Sequence, residues 1–176
     1  MEKKTTTPRL TEDEKVAARQ WARFHKKGGH PNIEFKKSND PKIYYFKFKG
    51  VEEAEGIRND EFITGEYLGE IRMGANRLVP PRVTMRTPTG VYPINTENFC
   101  VSVGQYHPND YSPTIGIDGF VRIILSGLIY WRELGNGIGL IATTDSEANE
   151  QRIRQFAISS IEYNNTNNRH ILAHFE

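Results

Sequence analysis

A single cysteine, Cys100, is the side chain in this sequence best suited to nucleophilic chemistry. It is the only cysteine among 176 residues, so it can form neither an internal disulfide nor a multi-cysteine zinc site. It is therefore either a buried structural residue or a nucleophile. Turn-forming residues in the segment 87–99 favour a loop around it. Polar groups that could serve acyl transfer lie nearby, namely Asn95, Asn98 and His107.

The composition indicates a soluble globular protein with one core. Hydrophobic residues make up 37% of the chain and charged residues 26%, as in an ordinary single domain. The net charge of +1 argues against a protein held to nucleic acid by bulk electrostatics. No apolar run reaches the roughly 18 residues that cross a membrane, and no signal-peptide core follows residues 1–4. We therefore expect no nucleic-acid partner, no membrane segment in this chain and a reducing compartment.

The first predicted element is an amphipathic helix that begins near Thr11. Thr11 and Glu14 have the spacing of a capping box. Ala17, Trp21 and Phe24 then recur on one helical face, which is expected to be buried. Another face carries basic residues, which are Lys15, Arg19 and Arg23. This basic stripe is either a solvated surface or a docking surface for an acidic partner.

Four segments rich in large alternating side chains predict strands. They are residues 33–35, 42–49, 67–73 and 83–85. No helical period separates them, so they are expected to form an antiparallel meander. The acidic, glycine-containing segment 51–62 is predicted to be an exposed loop.

Two further helices are predicted after Cys100. Ser112 and Pro113 open the first, and a capping box at 144–147 begins the second. The inward face of the second is expected to contain Ile153, Phe156, Ala157 and Ser160. His170 and His174 lack nearby acidic or cysteine ligands and are expected to be surface or packing residues. The glycines in 135–139 do not fit a nucleotide loop, so no cofactor is expected. Because the two histidines lack further ligands, no metal is expected either.

An ordered set of motifs around Cys100 resembles the ubiquitin-conjugating enzymes, and within them the Ubc6-like (J) class. The resemblance covers about residues 11–175. The matching features are the basic first helix, segments 46–50 and 67–71, Pro80 and Pro81, segment 87–90, Asn95 and Thr96, segment 100–102, His107 and Pro108, Ser112 and Pro113, and segment 138–145. In this sequence, residues 92–95 replace the common His-Pro-Asn tripeptide, so Asn95, or alternatively Asn98, takes the place of its asparagine.

The resemblance implies an α+β architecture, the ubiquitin-conjugating-enzyme fold. Its expected parts are an N-terminal helix, a four-stranded antiparallel meander sheet, a loop-borne active cysteine and two or more C-terminal helices. Residues 1–10 would then form a flexible N-terminus, and residues 11–176 a single catalytic domain.

The same resemblance implies a chemistry for three residues. Cys100 would accept ubiquitin or a ubiquitin-like protein as a thioester from an activating enzyme, and pass it to a lysine or a hydroxyl. Asn95 would either donate a hydrogen bond to the oxyanion or brace its loop. His107 would act either as a general base, most usefully for a hydroxyl acceptor, or as a loop-fixing residue.

Partners also follow from the resemblance. The activating enzyme would meet the basic stripe of the first helix. Ubiquitin ligases would use that helix together with Leu78, Ser112 and Pro113, with Leu78 standing where phenylalanine is more usual. Other members of the class are usually tail-anchored, so the expected location is the cytoplasm, or the cytosolic face of the endoplasmic reticulum if a C-terminal anchor is missing from this chain.

Two other functions fit parts of the pattern. One is a non-catalytic variant of the same fold that binds ubiquitin, although such variants lack the cysteine that is present here. The other is a cysteine hydrolase with Cys100 and His107 as a dyad, but hydrolases generally place the base far away in sequence.

Overall fold

The computed structural model describes residues 9–26, 33–49, 65–74, 78–96, 112, 114, 119 and 147–176. Several predicted features lie outside these residues: Cys100, Asn98, His107, Pro113, the loop 51–62, most of the helix that was predicted to open at Ser112 and the start of the capping box at 144–147. The division into a flexible N-terminus and one domain stays a prediction. Within the described part the elements are α1 (Glu12–Lys26), β1 (Glu34–Lys37), β2 (Ile43–Lys49), β3 (Glu66–Arg72), β4 (Arg82–Met85), α2 (Glu147–Asn167) and α3 (Arg169–Leu172).

The predicted capping box begins helix α1. The backbone N–H of Thr11 donates to Glu14 Oε2 at 2.7 Å, and the N–H of Glu14 donates back to Thr11 Oγ1 at 3.4 Å. These two bonds satisfy donors that a helix start otherwise leaves unpaired. The predicted inward residues Ala17, Trp21 and Phe24 are all buried.

The sheet is the predicted antiparallel meander, with strand order β1-β2-β3-β4. The alternation in β2 buries Tyr44, Phe46 and Phe48 on the face toward α1. Trp21 of α1 stacks on Tyr44 with ring centroids 3.8 Å apart, and its ring lies 4.8 Å from that of Phe35 in β1. Large aromatic side chains therefore form the core between the first helix and the sheet.

The opposite face of the sheet is partly covered as well. Leu68 of β3, which points away from the aromatic core, is fully buried. Helix α2 also packs against β3, but its Ile153 and Ala157 belong to the same buried cluster as Trp21 and Tyr44. Beyond α3, His174 lies beside Tyr45 with centroids 5.0 Å apart, and Lys47 Nζ lies 4.7 Å from the centre of the Phe175 ring. His174 is thus a packing residue, one of the two alternatives expected for it.

Helix α2 buries the face that the sequence predicts. Ile153, Ala157 and Ser160 are buried, and Phe156 is half-buried. The far side of the helix is exposed at Ile158. The inward residues hold the helix against β3 and against the segment that follows β4, which is the segment that carries Asn95.

Candidate functional site

Asn95 is the predicted catalytic residue that the structure describes. Its neighbour Ile94 forms a parallel bridge with Met85, the last residue of β4. The backbone N–H of Asn95 donates to the carbonyl of Met85 at 2.9 Å. Asn95 has a φ of 54°, in the left-handed region that asparagine enters more readily than most residues. The chain therefore returns to β4 and presents Asn95 at an exposed turn.

The side chain of Asn95 is oriented by an arginine. Its Oδ1 accepts a hydrogen bond from Arg86 Nη1 at 2.9 Å. A guanidinium can only donate, so the amide oxygen must face Arg86. The amide NH₂, which is the donor half of the side chain, then lies on the other branch.

Arg86 is itself held from several directions. Its Nη2 lies 3.2 Å from Glu70 Oε2, an ion pair in which the Glu70 carboxylate is nearly buried. Its backbone N–H donates to the carbonyl of Leu68 at 2.9 Å. Its carbonyl accepts from Asn168 Nδ2 at 2.8 Å. Arg86 thus ties the Asn95 turn both to the sheet and to the C-terminal helices.

Buried amides continue this network into α2. Asn164 Oδ1 accepts from Thr87 Oγ1 at 2.5 Å and from Asn168 Nδ2 at 3.0 Å. Asn164 Nδ2 donates to the carbonyl of Glu66 at 2.9 Å. One turn earlier, Ser160 Oγ accepts from the N–H of Glu66 at 2.8 Å. Because α2 hydrogen-bonds to both β3 and Thr87, it fixes the start of the segment that leads to Asn95.

The turn between Thr87 and Asn95 is built from its own side chains. Thr89 Oγ1 accepts from the backbone N–H groups of Val91 at 3.0 Å and Tyr92 at 2.9 Å. Gly90 has a φ of 76°, which glycine adopts without steric cost. Arg152 of α2 donates to the carbonyl of Gly90 at 3.2 Å. The turn-forming residues of the segment 87–99 thus form turns as far as Thr96, whereas the predicted loop around Cys100 lies outside the described residues.

The sequence reasoning missed four members of this network: Glu70, Arg86, Asn164 and Asn168. One signal was available, because four asparagines stand within residues 164–168 near the end of a helix. Asparagine is a weak helix former, so such a cluster indicates a role in hydrogen bonding. Arg86 carries no comparable local signal, since its side-chain partners come from a different strand and from a later turn.

Comparison with curated proteins identifies a relative of this chain by sequence. No family model matches the chain. A curated relative from Dictyostelium discoideum, named ubiquitin-conjugating enzyme E2 J2-like, is 29% identical over 113 residues, which are 64% of this chain and 61% of the relative. The chain therefore spans less than two thirds of the length of that relative.

Solved structures give the same result for the fold. A ubiquitin-conjugating enzyme E2 from Plasmodium falciparum superposes with a TM-score of 0.51 at 24% identity, over 73% of this chain and 93% of that one. Human ubiquitin-conjugating enzyme E2 G1 superposes with a TM-score of 0.50 at 15% identity, over 69% and 98%. The chain has the ubiquitin-conjugating-enzyme fold. The resemblance to the ubiquitin-conjugating enzymes is likewise confirmed, and the J2-like name of the curated relative agrees with the J class.

On this ubiquitin-conjugating-enzyme fold, the predicted docking residues of α1 lie at the surface. Lys15 is half-buried and its Nζ pairs with Glu12 Oε1 at 2.5 Å. Arg19 and Arg23 are exposed, and Arg19 Nε donates to the carbonyl of Lys15 at 3.2 Å. The stripe is accessible, as both a solvated face and a docking surface require.

The predicted ligase-binding residues are described in part. Leu78 is 66% exposed, and the adjacent Val79 is exposed to a lesser degree. Ser112 Oγ lies 2.7 Å from Thr114 Oγ1, so the two hydroxyls share a hydrogen bond.

Within the described residues, no three His, Cys, Asp or Glu side chains form a group that could hold a metal ion. The same part of the chain contains no helix with the length and apolar character to cross a membrane.

Proposed function

We propose that this chain is a ubiquitin-conjugating enzyme, for ubiquitin or a ubiquitin-like protein. It accepts the modifier as a thioester on Cys100 and transfers it to a lysine or a hydroxyl. The observation that carries the proposal is the ordered set of family motifs around a single cysteine, in a chain whose fold is that of these enzymes. The J2-like name of the curated relative supports the same class.

In the proposed reaction, the Cys100 thiolate attacks the carbonyl carbon of the thioester on the activating enzyme. The tetrahedral intermediate collapses and expels the activating enzyme's thiolate, which leaves the modifier on Cys100. A lysine amine then attacks the new thioester and expels the Cys100 thiolate, and the amine loses one proton. Sulfur suits both steps, because a thiolate is a strong nucleophile near neutral pH and then a good leaving group.

Asn95 is proposed to donate to the oxyanion that forms when the acceptor attacks the Cys100 thioester. The orientation of its amide supports this role, since Arg86 holds the oxygen and leaves the NH₂ as the outward branch. Removal of one such donor typically lowers a rate by about 10²–10³. The alternative is that Asn95 braces its turn and Asn98 is the donor.

His107 is proposed as a general base. A hydroxyl is far less acidic than a lysine ammonium, so a hydroxyl acceptor gains more from a base placed beside it. His107→Ala should then slow thioester decay with free serine more than with free lysine. Equal slowing for both acceptors would leave His107 as a loop-fixing residue.

The proposed partners are the modifier, an activating enzyme that docks on Lys15, Arg19 and Arg23, and a ligase that contacts Leu78, Ser112 and Pro113. The exposure of Arg19, Arg23 and Leu78 supports these assignments. Reversal of Arg19 and Arg23 to glutamate should slow charging, most strongly at low salt, where exposed charges are least screened. The proposed location is the cytoplasm or the cytosolic face of the endoplasmic reticulum.

Incubation with activating enzyme, ATP and ubiquitin tests the proposal. The wild type should form an adduct that reductant removes, and Cys100→Ala should form none. Cys100→Ser, if charged, should form an adduct that resists reductant, because an oxygen ester replaces the thioester. A persistent reductant-sensitive adduct on Cys100→Ala would falsify the assignment of the cysteine.

The same preparation separates the rival functions. A non-catalytic variant of the fold would bind ubiquitin without forming any adduct. A cysteine hydrolase would release ubiquitin from a preformed conjugate without activating enzyme or ATP. Either result would replace the conjugating-enzyme proposal.

A further inference from the structure

The pair Arg86–Asn95 links the proposed donor to the sheet. We propose that Arg86 is a positioning residue, which orients the Asn95 amide for transfer of the modifier. This inference rests on the proposed function and adds a residue to it. The observation behind it is the guanidinium that bridges Asn95 Oδ1 at 2.9 Å and Glu70 Oε2 at 3.2 Å.

An exposed asparagine needs such a constraint. The torsion angle of the terminal side-chain bond of asparagine has a broad distribution, so the amide oxygen and the NH₂ can exchange places at little energetic cost. Only the NH₂ can stabilise a developing oxyanion, because the oxygen would repel it. Arg86 offers only donors, so it selects the orientation in which the oxygen faces the guanidinium and the NH₂ faces away.

The constraint is stiff because Arg86 has little freedom of its own. Glu70 pairs with Thr84 across β3 and β4. Arg86 lies two residues after Thr84, so it is on the same face and diagonally opposite Glu70. The Glu70 side chain is only 10% exposed, and the Arg86 side chain is 30% exposed. A charge-assisted bond in this setting is stronger than a neutral one. The backbone of Arg86 is bonded on both sides, to Leu68 and Asn168.

The backbone geometry contributes to the same end. The N–H of Asn95 is fixed on the Met85 carbonyl, and its φ of 54° sets the direction in which the side chain leaves the turn. The backbone thus determines where the amide lies, and Arg86 determines which way it faces. Loss of Arg86 should therefore disorder the amide without moving the turn.

Single-turnover discharge of the charged enzyme to free lysine tests this role. Arg86→Gln should charge normally and then discharge on the order of 10-fold more slowly, less than the 10²–10³ expected for loss of the donor itself in Asn95→Ala. The decrease should appear in the maximal rate and not in the lysine concentration that gives half of it. Arg86→Lys, which still offers only donors, should recover part of the rate.

Arg72→Gln is the matched control. Arg72 lies on the same face of the sheet as Glu70 and pairs with Asp40 at 3.2 Å. Arg72→Gln therefore removes an arginine ion pair of the same length, at a more exposed position and away from Asn95. Its discharge rate should equal that of the wild type. In the Asn95→Ala background, Arg86→Gln should cause no further loss, because the amide through which Arg86 acts is already gone.

The outcomes separate the inference from the proposed function. A wild type that never forms a thioester on Cys100 would overturn the proposed function. Normal charging with unchanged discharge in Arg86→Gln would overturn the positioning role alone, whereas unchanged discharge in Asn95→Ala would overturn the donor role of Asn95 together with it. An equal further loss when Arg86→Gln is added to Asn95→Ala would also overturn it, since Arg86 would then act through the general structure. The side-chain amide NMR signals of Asn95 give a readout without activity, and they should shift in Arg86→Gln but not in Arg72→Gln.

Discussion

Helix α1 and the C-terminal part of α2 are held to the sheet by different kinds of contact. On the α1 face, Trp21, Phe35 and Tyr44 meet ring against ring. At the C-terminal end of α2 and directly after it, Asn164 and Asn168 contact the sheet and the Asn95 segment through hydrogen bonds. We refer to these two sets of contacts as the aromatic face and the amide face.

The difference lies in what each kind of contact can specify. Apolar burial is non-directional and roughly proportional to area, so the aromatic face holds the helix to the sheet but tolerates small shifts. Hydrogen bonds require particular atoms at particular distances, and a buried partner left without one is costly. The amide face therefore fixes the position of the segment that leads to Asn95, and we expect the aromatic face to supply the larger share of stability.

The largest expected effect is truncation on the aromatic face. Trp21→Ala removes a buried ring that stacks on Tyr44, and such changes typically cost about 3–5 kcal/mol. Urea denaturation followed by circular dichroism should show a large decrease in the midpoint. Trp21→Phe is the milder variant, in case the alanine variant does not fold.

The phenylalanine variant also sharpens the reason for the loss. Trp21 Nε1 is buried and has no hydrogen-bond partner among the residues that the structure describes. Trp21→Phe therefore gives up packing but no hydrogen bond, and should cost clearly less than Trp21→Ala. Equal losses for the two variants would show that the aromatic face is more directional than its geometry implies.

The next effect belongs to the amide face. Asn164→Ala leaves the Glu66 carbonyl and the Thr87 hydroxyl without their buried partner, so it should lower the free energy of unfolding by about 2 kcal/mol. Asn165→Ala is the matched control, because Asn165 is exposed on the same helix and alanine is the better helix former. It should be neutral or slightly stabilising in the same denaturation experiment.

A double-mutant cycle tests whether the amide face acts as a network. Thr87→Val removes the hydroxyl that donates to Asn164 at 2.5 Å. Combined with Asn164→Ala, it should cost less than the sum of the two single changes, because both remove the same bond. Strict additivity would mean that the two residues contribute independently.

The contrast also explains how much of the fold the sequence predicts. The aromatic face was predictable, because the alternation in β2 and the helical spacing of Ala17, Trp21 and Phe24 are periodic signals. The order of strands followed from the lack of helical segments between them. The family resemblance implied the fold as a whole, and the solved structures confirm it.

The amide face was not predictable in the same way. Its members are single polar residues whose partners lie on other elements, so no periodicity connects them. Asn95 was selected from the motif pattern, but its dependence on Arg86 and Glu70 became visible only once β3, β4 and the following turn were placed side by side. The roles of Cys100, Asn95 and His107 stay predictions.

The smallest expected effect concerns a titratable contact at the edge of the aromatic face. Asp13 of α1 pairs with Lys42, the residue before β2. A hydrogen bond from Lys42 and further ones from Thr11 and the Asp13 backbone lower the pKa of Asp13 from its ordinary 3.8 to about 2. A carboxylate with a lowered pKa in the folded state stabilises the fold above its unfolded pKa, and this contribution is lost as pH falls through the folded value.

The stability of the wild type should therefore fall between about pH 4 and pH 2 by more than that of Asp13→Asn, which cannot titrate. The difference should be small and should shrink in high salt, because the pair is accessible to solvent and surface pairs contribute little. Urea midpoints measured across this pH range at two salt concentrations give the comparison. Lys42→Ala should reduce the pH dependence in the same way, since it removes the main cause of the lowered pKa. If Asp13→Asn and the wild type lose stability in parallel, the ion pair does not tie α1 to the sheet, and the aromatic contacts hold that face without it.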